Sequence, residues 1–154
     1  DQYRRGVYTW WQRTFPHPSL LAFDAPSREE ATCERLRSNI PQQALVLLND
    51  PTHVEAARVF AARMMKDGGV AVADKINWAY EQALSRKARP QEVQVLVDLY
   101  AKHLKEYTHD PASARKVLVV GNAPAPRELD AGELAAWTSV ARVIINLSET
   151  ITRS

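Results

Sequence analysis

A single cysteine, Cys33, excludes an internal disulfide and leaves no second cysteine for a Cys-x-x-Cys-His haem-attachment motif. Glycine is scarce: the five present form no phosphate loop, no Rossmann pattern and no Gly-x-Ser-x-Gly nucleophile elbow. No run of 18 apolar residues exists, so no transmembrane helix is expected; stretches such as residues 44–48 are far too short. Charge of one sign is lacking as well. Twenty basic and eighteen acidic residues are interspersed, and a net charge of +2 gives no electrostatic footprint for nucleic acid. The four histidines, His17, His53, His103 and His109, have no metal-binding spacing, and no His-Glu-x-x-His occurs, so no metal site is expected.

What is present is helical patterning. With 154 residues, 45% hydrophobic and 25% charged, the composition fits one globular domain with a real core. Asp50-Pro51 is a cap followed by a first-turn proline. Val54, Ala57, Ala61, Met64 and Met65 then share a face until Gly68-Gly69 ends the helix. A second long helix is expected over residues 70–87, with Val72, Ile76, Ala79, Tyr80 and Ala83 inward. Arg89-Pro90 opens a third, whose stripe is Val93, Leu96, Val97, Tyr100, Leu104 and Tyr107. Asp110-Pro111 repeats the cap-plus-proline signal for a short helix over residues 112–120. The last helix, residues 133–148 behind Asp130, is apolar on two faces: Leu134, Trp137, Ala141 and Ile144 on one, Val140, Val143 and Leu147 on the other. A helix apolar on both sides belongs at the centre of a core, so this element is predicted to be the most buried.

The first fifty residues read differently. Residues 1–15 are aromatic-rich, and the strand formers Val7 to Trp11 favour an extended segment, even a short strand, over a helix weakened by Gly6. Pro16, Pro18 and Pro26 argue against regular structure between residues 15 and 26. The spacing of Ser27 and Glu30 fits a capping box for a short helix reaching about residue 37, and Pro41 suits the first turn of another over residues 42–48. The expected fold is therefore mainly α. It is an irregular bundle of about five or six helices in one domain, with residues 1–50 as aromatic segment and polar strap and residues 51–154 as helical bundle. The chain opens on Asp1 inside a patterned segment and is read as a fragment or processed piece of something longer.

Two groups of residues stand out for function. Asp24, Arg28, Arg35, Arg37, Asn39 and Asn49 crowd the strap. Arginines converging there would grip a carboxylate, sulfate or phosphate through paired charge-assisted hydrogen bonds. Equally, Asp24 and an arginine would fasten an irregular loop, with the asparagines satisfying open backbone groups. Tyr8, Trp10 and Trp11 form the second group. They either pack on the last helix near Trp137 or dock an upstream part of the same protein or a partner subunit. A Cys33–His17 nucleophile and base, and an axial haem ligand from His17 or a methionine, have no supporting context; Met64 and Met65 sit on a core stripe.

Three blocks carry a family resemblance: YRRGVYTWWQRTFPHPSLLAFDAPSRE, RSNIPQQALVLLNDPTHVEAARVFAARM and LAAWTSVARVIINLSETITR. Together they resemble the C-terminal part of the planctomycete domain of unknown function 1553. That resemblance implies a large exported protein, periplasmic or in the cell envelope, which also carries cytochrome-c-like modules; haem is implied in those neighbours and not in this segment. It implies no established activity. Three functions follow as expectations: a structural or interaction domain of such a protein; the substrate-binding part of an enzyme acting on polysaccharide or another anionic polymer; or a docking domain for a haem electron-transfer module. No small-molecule or glycan ligand is specified, and no catalytic motif is present.

Overall fold

The computed structural model describes residues 6–12, 15–26, 29, 31, 33–34, 38 and 40–151. Eight helices and no strand occur among the described residues. They are α1 (Pro18–Ala22), α2 (Pro41–Asn49), α3 (Pro51–Asp67), α4 (Val72–Leu84), α5 (Pro90–His109), α6 (Pro111–Leu118), α7 (Ala131–Ile145) and α8 (Ser148–Ile151). The expected helical bundle is thus observed, with α2 to α7 as its longer members. The chain divides into two compact units, Asp1–Leu47 and Leu48–Ser154.

In residues 48–154 the helix ends follow the capping residues. The Asp50 carboxylate accepts from the Thr52 amide (2.8 Å), Asp110 from Ala112 and Ser113 (3.1 and 3.2 Å), and Asp130 from Glu133 (2.8 Å). At α5 the Glu92 carboxylate instead reaches back to the Arg89 amide (2.7 Å). α4 is shorter at both ends than its pattern. Gly69 turns with φ +87° before it, and Ser85 adopts φ +56° after it. Gly68 is required by contact: a Cβ there would lie 2.5 Å from the Met64 carbonyl oxygen and 2.8 Å from Lys75 Cα.

α7 is the centre, as its two-faced pattern predicts. Leu134, Ala135, Ala136, Trp137, Thr138, Val140, Ala141 and Ile144 are all buried. It packs most extensively on α3, then on α5 and α6. Ala57 and Ala61 on α3, with Ala135, Ala136 and Ala141 on α7, keep these two helices lined with small side chains. Met64, Ile76 and Tyr100 fill space around Trp137 in the same core, and the Tyr100 and Trp137 rings lie 4.4 Å apart. The single hydroxyl on the fully buried face, Thr138, donates to the Leu134 carbonyl (2.7 Å), so it adds no unmet polar group.

Residues 1–47 are organised otherwise. Gly6–Tyr8 form one 3-10 turn, and residues 10–12 are irregular. The short strand anticipated here is therefore absent among the described residues: β-propensity without a neighbouring strand leaves the backbone no ladder to join. Residues 29, 31, 33 and 34 are not helical either, which corrects the helix expected from the capping-box spacing. Its three apolar residues, Ala31, Cys33 and Leu36, offer too little surface to hold a helix. Conversely, Pro18–Ala22 is a one-turn helix where prolines argued against one. Pro18 occupies its first turn, where no N–H is needed, and His17 Nδ1 accepts from the Ser19 amide (3.3 Å).

Candidate functional site

Of the strap residues singled out for function, two are placed. Asp24 follows α1 in the turn, with φ +55°, a left-handed conformation that Asp tolerates better than most residues. Its carboxylate accepts from the Ser38 amide (2.7 Å) and from the Ser38 hydroxyl (2.8 and 2.9 Å). The backbone N–H and then the hydroxyl of Ser38 hold its pKa below the usual carboxylate range. The Gln43 amide donates to the Ser38 carbonyl (3.1 Å), tying the same point to α2. Asn49 is the exposed last residue of α2. Arg28, Arg35, Arg37 and Asn39 lie outside the described residues. Asp24 thus clips itself to Ser38, a residue fourteen positions on that the sequence did not mark.

The aromatic group is exposed. Val7, Tyr8, Trp10 and Phe15 stand 74%, 65%, 82% and 81% open to solvent, while Trp11 is half-buried. Cys33 is exposed, and His17 is engaged in capping α1. Met64 is fully buried in the core. No group of three or more His, Cys, Asp or Glu able to hold a metal occurs among the described residues.

Sequence reasoning missed the main buried charges. Glu55 and Arg58 on α3 are 3% and 1% exposed. The Glu55 carboxylate accepts from the amides of Asn122 (2.6 Å) and Ala123 (3.2 Å). The Arg58 guanidinium donates to the carbonyls of Leu118 and Ala123. The loop from α6 to α7 is therefore gripped from both ends of its dipoles. Gly121, at φ +94°, makes this possible, because any Cβ there would collide with the Glu55 carboxylate. The two successive N–H groups form an anion-binding nest, but the chain's own Glu55 fills it. A cleft of about 400 Å³ borders this loop, with Arg58 and Arg115 among its lining residues. Arg142 of α7 does a related service by donating to the Leu48 carbonyl. The signal available in the sequence was an acid and a base three apart beside an apolar stripe, together with a lone glycine far along the chain.

A third polar cluster joins the C-terminus. Arg86 makes a forked pair with Glu92 (both 2.9 Å) and a further pair with Glu149 of α8 (2.8 Å), and lies over the Tyr80 ring at 5.2 Å. The hydrogen bond from Arg86 is the chief cause that lowers Glu92 to about 2. Every member is engaged with another, so the arrangement fastens α8 and the α4–α5 turn.

No curated protein and no solved structure matches this chain. A family model described as a protein of unknown function, DUF1553, matches residues 1–100. That match ends inside α5, whereas α7, the core's central helix, lies beyond it. By a match over most of its length, the chain belongs to the DUF1553 family.

Proposed function

We propose that this domain is a structural interaction module, the C-terminal part of a larger exported planctomycete protein that also carries cytochrome-c-like modules. Its aromatic N-terminal segment docks on the rest of that protein. The observation that carries this reading is the exposure of Val7, Tyr8, Trp10 and Phe15, at 65–82%, within nine residues of chain. Large apolar side chains standing open together mark an interaction surface, and Trp and Tyr are favoured anchors of such surfaces. The occupied state of the polar clusters supports the same reading. Asp24 holds Ser38, Glu55 holds the loop at Asn122, and Arg86 holds Glu92 and Glu149.

The test is co-purification of this chain with the remaining part of the full-length protein, expressed separately. The two parts are expected to associate. The double variant Trp10→Ala, Phe15→Ala should weaken association by roughly a thousandfold, since anchor residues of this kind carry about 2 kcal/mol each or more. Its melting temperature should stay that of the parent. Unchanged association in the double variant overturns the docking role of the segment. An absorbance spectrum of the full-length protein without a haem band removes the cytochrome part of the reading.

A further inference from the structure

Within residues 48–154, an open groove of about 730 Å³ runs along α5, with Val72 of α4 at its edge. On α5, Leu96 and Tyr100 are buried in the core. Beside them Val97, Ala101, Leu104 and Thr108 line the groove with the i, i+4, i+7, i+11 spacing of one helix face, Val97 and Leu104 also packing against the core. Val97 and Leu104 are half-buried, and Ala101 and Thr108 are exposed.

The floor offers little to a small polar ligand. The Thr108 hydroxyl donates to the Leu104 carbonyl (2.7 Å), and the Tyr100 hydroxyl donates to Glu133 (3.3 Å). Ala101, midway along, is the smallest side chain of the stripe and lets a partner's backbone come close. Charge enters at one end only, at Lys105, with the His109 imidazole beside it, and no acidic residue lines the groove. From residue 97 to residue 109 the groove runs about 18 Å, the length of roughly three helical turns. Its open side leaves one face of any occupant in water. An amphipathic helix meets that condition, whereas an acyl chain would leave half its methylenes exposed.

We propose that this groove receives an acidic amphipathic helix from a protein partner. The helix sets its apolar face on Val97, Ala101 and Leu104 and its carboxylates beside Lys105 and His109. Nothing in this inference depends on the aromatic segment, so the two surfaces stand or fall separately.

The experiment is an NMR titration of the isotope-labelled 154-residue chain. Two synthetic helical peptides share one leucine-rich face; the polar face is glutamate-rich in one and lysine-rich in the other. The acidic peptide is expected to bind saturably and to shift the amides of Val72 and residues 97–109. The basic peptide should bind about tenfold more weakly, as like charges face each other. Ala101→Gln, a neutral bulk at an exposed position, should abolish binding of both peptides, and Lys105→Glu should reverse their order of affinity. Melting temperatures equal to the parent's confirm that both variants fold. The proposal is overturned by equal binding of the two peptides, by no binding, or by shifts that fall outside the groove. It is also overturned if dodecanoate binds these residues while both peptides stay inert, or if the same amides shift on raising protein concentration alone.

Discussion

Residues 48–154 and residues 1–47 bury their side chains to very different degrees. The first unit closes a core around α7, with Trp137, Met64, Ile76, Leu134 and Ile144 fully covered. Its charged residues Glu55 and Arg58 are buried yet hydrogen-bonded to a loop. The second buries Ala22 and Leu47 among its described apolar residues, and leaves Trp10 and Phe15 more than four-fifths exposed. Aromatic side chains are the largest source of burial energy in a protein. One unit buries Trp137 completely; the other holds Trp10 in solvent. The lesson is that the same residue type is core in one unit of this chain and stands exposed in the other, and that only burial distinguishes them.

The largest effect expected from breaking this contrast is at Trp137. Trp137→Ala should cost about 3–5 kcal/mol, because α7 cannot collapse onto the void from all sides at once. Trp10→Ala should stay within about 0.5 kcal/mol, as an exposed substitution does. Urea unfolding of the two variants side by side measures this, and equal losses would erase the distinction between the units. A smaller loss is expected from Glu55→Ala. It removes the acceptor for the Asn122 and Ala123 amides and leaves both without it, at a cost of about 2–4 kcal/mol. Hydrogen exchange should show residues 119–125 opening first, while the Ser38 amide in the other unit keeps its protection.

The smallest effect is acid sensitivity, and it touches both units. Glu92 is lowered in the folded chain, so its contribution is complete above the ordinary glutamate value of 4.5 and is lost as pH falls towards about 2. Asp24 is shifted in the same direction by Ser38, so its clip weakens on the same downward side. Thermal melting of residues 48–154 should decline over that window, and Glu92→Gln should flatten the decline. The Ser38 amide should lose protection in the same acid range without any change in that melting profile. A single concerted loss at both sites would show that the two units unfold as one.

Much of the helical unit was legible because helices such as α3 and α7 announce themselves twice, by cap and by stripe. Asp50-Pro51, Asp110-Pro111 and Asp130 place three starts within a residue or two, and they do so through local hydrogen bonds that need no distant partner. The central place of α7 was legible from its face of Leu134, Trp137, Ala141 and Ile144, all buried together with Val140, whereas Val143 on the second face stands exposed. The ends of α4 were not, since Gly69 and Ser85 stop it by backbone conformation while the hydrophobic pattern runs on. α1 was hidden by its prolines, one of which sits where a helix accepts it. The Glu55–Arg58 grip was illegible for a different reason. On a helix, an acid and a base three apart usually form a solvated pair. What buries them is a loop more than sixty residues away in the chain, and nothing local foretells its arrival.

The candidate site divides in the same way. Tyr8, Trp10 and Trp11 were conspicuous by density, but whether they packed inward or faced outward needed the structure; Tyr8 and Trp10 face outward. Asp24 was conspicuous by its company of arginines, and its carboxylate accepts from a serine fourteen residues on that the sequence did not mark. By itself the sequence determined the helical class, the caps, the central helix and the family, because these rest on local periodicity, local hydrogen bonds and ordered motifs. The tertiary structure decided which charges are buried, which glycine is indispensable and which aromatics stay in water. Those depend on what lies across a gap in space, and a one-dimensional pattern carries that information only after the chain has closed it.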